Sequence, residues 1–108
     1  MESNERDFIV LKFGGTSVSS KEKWATIDRI VASRTTPTTR PVIICSALSQ
    51  VSNQLEAIIA KAILSQHIPL VESLKAQHDA LLDALNVSEA ASEIENIFTD
   101  LLKLCHGI

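Results

Sequence analysis

The chain has 108 residues, 45% of them hydrophobic, with 10 basic and 13 acidic side chains and a net charge of −3. This length suits one small domain, and the slightly acidic balance gives no reason to expect nucleic acid or an anionic membrane as a partner. It has no apolar stretch of about 18 residues, and residues 1–7 are too polar and acidic for a secretory signal. We therefore expect a cytoplasmic protein.

The two cysteines give no support for a metal site or a disulfide framework. Cys45 lies in an apolar run and Cys105 lies near the end of the sequence, with no Cys-x-x-Cys pair. Both are predicted to be reduced, buried thiols.

Two predicted strands flank the first predicted helix. Residues 8–13 are apolar on both alternating faces, and residues 42–45 form a continuous apolar run, so both are predicted to be buried strands. The helix between them is predicted to begin with a capping box formed by Ser19 and Glu22 and to end near Arg34. A strand, a helix and a strand form a βαβ unit with a right-handed crossover, which makes the two strands parallel.

The rest of the chain is predicted to be helical. Apolar spacing indicates a helix from residue 52 that stops before Pro69, a second that ends near Asn86, and a third with Ser88 as its N-cap. Two parallel strands alone make a poor sheet, so the sequence predicts an incomplete α/β domain. Residues 7–46 are its βαβ unit with a phosphate loop, and residues 52–108 are a helical subregion.

A glycine pair follows the first strand directly, within the motif KFGGTSV at residues 12–18. Glycine lets backbone N–H groups approach an anion, and Lys12 at the end of an apolar strand would be desolvated without an anionic partner. The alternative is that Lys12 extends into water from an edge strand while the glycines only turn the chain. The spacing excludes a Walker A motif and a dinucleotide-binding fingerprint. We interpret the motif as a phosphate-binding loop.

Serines follow the second predicted strand. Ser46, Ser49 and Ser52 could hold a carboxylate or a phosphate, although N-capping is the alternative for Ser49 or Ser52. Because parallel strands end at the same edge of a sheet, residues 14–17 and 46–53 are predicted to face one crevice. The three histidines lack metal-ligand spacing, and His78, on the apolar seam of its helix, is predicted to be a hydrogen-bonded, half-buried side chain.

The motif KFGGTSV resembles the N-terminal signature of the aspartate kinases, which belong to the amino-acid kinase superfamily. The pairs SA at 46–47 and SN at 52–53 resemble the next block of that family, and LCHGI at 104–108 resembles the segment that closes its helical region. Gln50 stands where the family commonly has glycine, and Ser52 stands where it usually has threonine. This divergence suits a bifunctional enzyme in which the kinase is fused to a diaminopimelate decarboxylase.

The resemblance implies that residues 1–108 are the N-terminal part of a three-layer αβα amino-acid kinase domain. The complete enzyme would phosphorylate the side-chain carboxylate of L-aspartate with ATP to 4-phospho-aspartate, the first step of lysine, threonine and methionine biosynthesis. Mg²⁺ would enter on the nucleotide, and no metal would be bound by the chain itself. The implied residues are Lys12 for catalysis, Lys12, Phe13, Gly14, Gly15, Thr16 and Ser17 for ATP, and Ser46 and Ser52 for aspartate.

Two other functions stay open at the level of sequence. One is a kinase for another small acid of the same superfamily, and the other is a helical interaction or dimerisation module formed by the leucine-rich residues 53–104. We expect the complete enzyme to be a homo-oligomer. The 108 residues alone are expected to be inactive, to bind ATP weakly or not at all, and to self-associate through exposed apolar surface.

Overall fold

The computed structural model describes residues 7–108, so residues 1–6, on which the exclusion of a secretory signal depends, lie outside the described part. The chain divides into two compact units, Met1–Ser49 and Gln50–Ile108. None of the helices in the described part is long and apolar enough to span a membrane.

The first unit is a βαβ unit. Its elements are β1 (Asp7–Phe13), α1 (Lys21–Arg34) and β2 (Thr39–Cys45). The strands pair in parallel, with Asp7 opposite Thr39 and Phe13 opposite Cys45. The predicted βαβ unit with parallel strands is therefore confirmed, and α1 ends at Arg34 as predicted because Thr35 adopts an extended backbone.

The core of the first unit lies between α1 and one face of the two-stranded sheet. Its buried side chains are Phe13, Val18 and Ile27. Partly buried apolar side chains pack around them: Leu11, Trp24, Ile30, Val31 and Leu48. The indole nitrogen of Trp24 also donates a hydrogen bond to the carbonyl of Val18 at 2.7 Å, which joins α1 to the segment that precedes it.

The prediction that both strands are buried on both faces is wrong. Phe8 is 65% exposed and Val10 is 69% exposed, whereas Phe13, on the alternate face of β1, is buried against α1. Among the described residues the sheet has two strands, so both strands are edges. Cys45 is likewise exposed rather than buried, while Cys105 is buried as predicted, and both are free thiols.

The helix α1 begins one residue later than the predicted capping box requires. Ser20 is its N-cap, and the hydroxyl of Ser20 accepts a hydrogen bond from the amide of Lys23 at 3.3 Å. The box of Ser19 and Glu22 is therefore not formed. The hydroxyl of Ser19 is engaged by the backbone of two loops instead, which sequence spacing could not anticipate.

The second unit contains three helices, α2 (Val51–Ile63), α3 (Ile68–Leu85) and α4 (Ala91–His106). Each of the three helices packs against the other two. Asn86 ends α3 as predicted, in the left-handed conformation that asparagine tolerates. The buried apolar side chains of this unit are Val51, Ile58, Ala62, Val71, Leu74, Phe98 and Cys105.

The predicted serine caps of the second unit are wrong. The N-cap of α2 is Gln50, in a left-handed conformation with φ 67°, and neither Ser49 nor Ser52 caps this helix. The N-cap of α4 is Ala90, and Ser88 contributes only its carbonyl, which accepts a bond from the amide of Ala91. The capping propensity of a residue alone does not fix where a helix begins, because the backbone conformation of the preceding turn also decides the first helical residue.

The histidines of the second unit differ in their surroundings. His78 is half-buried, with Nδ1 2.9 Å from the carbonyl oxygen of Leu74 and its ring edge against Phe98, as predicted. His67 is only 3% exposed. Among residues 7–108 neither ring nitrogen of His67 has a hydrogen-bond partner, and the ring contacts that of His106 at 4.9 Å between centroids.

Candidate functional site

β1 leads directly into a tight turn at the glycine pair. The amide of Ser17 donates to the carbonyl of Gly14 at 3.0 Å, which closes a four-residue turn. In such a turn the N–H groups of the two central residues do not take part in the closing bond. The turn therefore uses the amide of Ser17 and leaves those of Gly15 and Thr16 out of its own hydrogen bonding.

The two glycines differ in what surrounds them, and neither has a positive φ. A β-carbon on Gly15 would lie 2.9 Å from the carbonyl oxygen of Ala47 and 3.5 Å from the amide nitrogen of Ser49. A β-carbon on Gly14 would meet nothing within 4 Å. Gly15 thus permits the close approach of two loops, while Gly14 keeps one side of the turn open.

The ends of the two strands are joined at Phe13. The amide of Ser46 donates to the carbonyl of Phe13 at 2.9 Å, just beyond the last paired residues. The side chain of Phe13 is buried in the core and is only 8% exposed. The backbone of Phe13 therefore joins the loops that follow the two strands, while its side chain belongs to the core.

Ser19 connects the two loops through its side chain. Its hydroxyl donates to the carbonyl of Gly15 and accepts a hydrogen bond from the amide of Ser49 at 2.9 Å. The spacing of Ser19 and Glu22 predicts a helix cap and gives no indication of this contact. No local signal could have found it, because Ser19 and Ser49 are 30 residues apart.

Lys12 lies on the face of β1 that carries Phe8 and Val10, opposite the face that packs on α1. It is exposed, and no carboxylate of the described residues forms an ion pair with it. The expectation that Lys12 is desolvated in an apolar strand is therefore wrong. An exposed ammonium needs no anionic partner for stability, so the case for anion binding depends on the neighbouring turn.

The remaining predicted site residues are divided between the two units. Thr16 and Ser46 are exposed, and Ser17 is half-buried beside a cavity of about 240 Å³ that also borders Phe13 and Ile27. The structure thus brings residues 14–17 together with residues 46–49 in the first unit. Ser52 belongs to the second unit, where it is exposed in the first turn of α2.

A sequence model of the amino acid kinase family matches residues 7–104, nearly the whole chain. The chain belongs to the amino acid kinase family. The two parallel strands and four helices of residues 7–108 match part of the fold of an amino acid kinase, and membership of the family implies a phosphotransferase. No curated protein and no solved structure matches the chain significantly.

The acidic, histidine and cysteine side chains of the described residues do not cluster as a metal site requires. Among residues 7–108, no group of three or more His, Cys, Asp or Glu side chains could hold a metal ion. The turn and its neighbour Lys12 offer backbone N–H groups, hydroxyls and an ammonium, all of which favour a negatively charged ligand.

Proposed function

We propose that the chain supplies the phosphate-binding part of an aspartate kinase. The complete enzyme would transfer the γ-phosphoryl group of ATP to the side-chain carboxylate of L-aspartate. Family membership supports phosphoryl transfer, and the motif KFGGTSV at residues 12–18 supports aspartate as the acceptor. The observation that carries the proposal is the approach of Gly15 to Ala47, since it sets the glycine turn beside the loop that follows β2.

The turn would bind the phosphates of ATP. The amides of Gly15 and Thr16 are not used to close the turn and can donate to phosphoryl oxygens, and Gly14 leaves room for the ligand. Lys12, exposed in β1 two residues before the turn, would neutralise the charge that builds on the transferring group. The hydroxyls of Thr16 and Ser17 would support the same oxygens.

The loop after β2 would face the acceptor. Ser46, exposed at the end of β2, would donate a hydrogen bond to aspartate. A carboxylate oxygen of aspartate would attack the γ-phosphorus as the bond to ADP breaks, giving 4-phospho-aspartate and ADP. Mg²⁺ would be held by the nucleotide phosphates and would stabilise the charge on the departing ADP.

The test is the variant Lys12→Ala in the complete reading frame that carries this chain. We expect kcat for aspartyl phosphate, trapped with hydroxylamine, to fall by about 100-fold or more, the usual effect of removing one group that stabilises transition-state charge. Lys21→Ala, at an exposed lysine in the first turn of α1, is the matched control and should leave kcat unchanged. Full activity in Lys12→Ala would overturn the assigned role.

The identity of the acceptor is tested separately, because the same phosphoryl-transfer reaction could use another small acid. A panel of aspartate, glutamate and carbamate, assayed with the unmodified enzyme, should give the highest kcat/KM for aspartate. A preference for another acid would keep the phosphoryl-transfer chemistry and replace the acceptor.

The exposed apolar side chains of the second unit favour self-association as a second candidate function. Ile63 is 68% exposed on α2, and Leu104 is 71% exposed on α4. Large apolar side chains at such exposure are typical of interaction surfaces. Sedimentation equilibrium of the 108-residue chain should show an oligomer, and Leu104→Glu should shift it toward monomer. A monomer at all concentrations would remove this candidate.

A further inference from the structure

The hydroxyl of Ser19 makes two backbone hydrogen bonds to loops that are far apart in sequence. It donates to the carbonyl of Gly15 and accepts from the amide of Ser49 at 2.9 Å. Ser19 and its neighbour Ser20 are both half-buried, but Ser20 caps α1 by accepting a hydrogen bond from the amide of Lys23. Two adjacent serines therefore have separate tasks, one in the helix and one between the loops.

The bond to Gly15 sets the direction of one peptide group. The carbonyl of Gly15 and the amide of Thr16 belong to the same planar, trans peptide, so they point in opposite directions. Because the carbonyl is directed toward Ser19, the N–H of Thr16 is directed away from it. Ser19 thereby orients an amide that the turn does not use for its own closure.

The bond from Ser49 ties the second loop to the same hydroxyl. Gly15 already lies against Ala47, and the Ser19 contact adds a directional link two residues later. Steric contact alone resists compression but not separation, whereas a hydrogen bond resists both. The hydroxyl of Ser19 therefore adds a directional link between the two loops at the ends of β1 and β2.

We propose that Ser19 is a positioning residue that holds the glycine turn and the loop after β2 in fixed register. Its consequence for catalysis rests on the proposed function, in which the turn binds ATP and Ser46 contacts the acceptor. The tether itself does not depend on that function. Because each loop keeps its own ligand-binding groups, loss of the tether affects the alignment of the two substrates more than the binding of either.

Amide hydrogen exchange in the 108-residue chain tests the tether directly. Ser19→Ala removes both bonds, and we expect the amide of Ser49 to exchange about tenfold faster, as the loss of one net hydrogen bond implies. Ser19→Thr keeps the hydroxyl and should restore slow exchange. Ser20→Ala is the matched control, because it weakens the cap of α1 and should leave the exchange of Ser49 near that of the unmodified chain. Equal exchange of Ser49 in Ser19→Ala and the unmodified chain would overturn the tether.

Kinetics in the complete reading frame test the positioning role. We expect Ser19→Ala to lower kcat by about tenfold or more, since small misplacement of reacting groups has effects of this size, with smaller changes in KM for ATP and aspartate. Ser20→Ala should lower the melting temperature without this loss of kcat. An altered exchange rate with unchanged kcat would overturn the positioning role. Absence of aspartyl phosphate from the unmodified enzyme would instead reject the proposed function, and the exchange experiment would still decide the tether.

Discussion

A β-carbon on Gly15 would lie 2.9 Å from the carbonyl oxygen of Ala47, closer than real β-carbons approach such an atom. Gly14, one residue earlier, has open space around the same position. Adjacent glycines in one motif therefore serve two purposes, one in the packing of two loops and one in access to the turn. Replacing each glycine by alanine in turn tests the two purposes separately.

We expect Gly15→Ala to destabilise the first unit. The methyl group would meet backbone rather than a flexible side chain, so the loop after β2 must shift, which costs about 1–3 kcal/mol for overpacking of this kind. Thermal unfolding of the 108-residue chain measures the effect. An unchanged melting temperature would show that the two loops are not in contact at Gly15.

Gly14→Ala is expected to behave in the opposite way. Its methyl group meets no protein atom, so the free energy of unfolding should change by no more than about 0.5 kcal/mol, as at unconstrained surface sites. In the complete reading frame it should nevertheless raise KM for ATP, because the methyl group occupies the space through which the phosphates would approach. An unchanged KM for ATP would show that the phosphates do not bind next to Gly14.

Gln50 carries backbone strain that glycine would relieve. Its φ of 67° lies in the left-handed region, which costs a residue with a β-carbon about 1–2 kcal/mol. Gln50→Gly removes that strain but loses the 2.7 Å bond that the side-chain Nδ2 of Asn53 donates to Oε1 of Gln50, and it adds unfolded-state entropy, so we expect a net gain of about 0.5–1 kcal/mol. Chemical denaturation measures it.

Asn86→Gly is the matched control for Gln50→Gly. Asn86 has φ 57°, but asparagine tolerates the left-handed region better than glutamine does, so its replacement should stabilise the chain less. A larger gain at Asn86 than at Gln50 would contradict the strain assigned to Gln50.

His67→Leu should stabilise the second unit. Burial of a polar ring whose nitrogens have no partner among the described residues carries a desolvation penalty that leucine of similar size does not. We expect a gain of about 1 kcal/mol in the free energy of unfolding. His78→Leu is the comparison, since it removes a ring that approaches the carbonyl of Leu74 at 2.9 Å and should not stabilise the chain. Destabilisation by His67→Leu would show that the ring has a favourable polar contact.

Lys75 links α3 to α4. Its ammonium lies 2.8 Å from a carboxylate oxygen of Asp79 on α3 and 2.8 Å from one of Glu95 on α4. Hydrogen bonds to Asp79 and then to Glu95 raise the pKa of Lys75 above its usual range. A raised lysine pKa means that the contribution to stability is complete at neutral pH and is lost as pH rises through the folded-state value.

Lys75→Met should therefore lower the melting temperature at pH 7, by less than Gly15→Ala does because the pair is partly exposed. The difference in melting temperature between Lys75→Met and the unmodified chain should persist through mildly alkaline pH and disappear only in strong alkali. It should also shrink in 1 M salt, which screens such pairs. A difference that is insensitive to salt would indicate that packing of the lysine stem, rather than its charge, is responsible.

Several features of the chain were predictable because their causes are local. Alternating and helical apolar spacing predicted the βαβ unit, the three later helices and the end of α3 at Asn86. The motif KFGGTSV predicted a member of the amino-acid kinase superfamily, which the family match over residues 7–104 confirms. In both cases the residues that carry the pattern lie close to one another along the chain.

Sequence alone determined which elements form and which family the chain belongs to, because backbone propensity, apolar period and a short motif are properties of neighbouring residues. The tertiary structure alone decided the exposure of Lys12, the exposure of Cys45 and the task of Ser19. The physical reason is that solvent exposure depends on which elements cover a face. The choice of Ser19 between a helix cap and a loop tether likewise depends on where the amide of Ser49, 30 residues away, comes to lie.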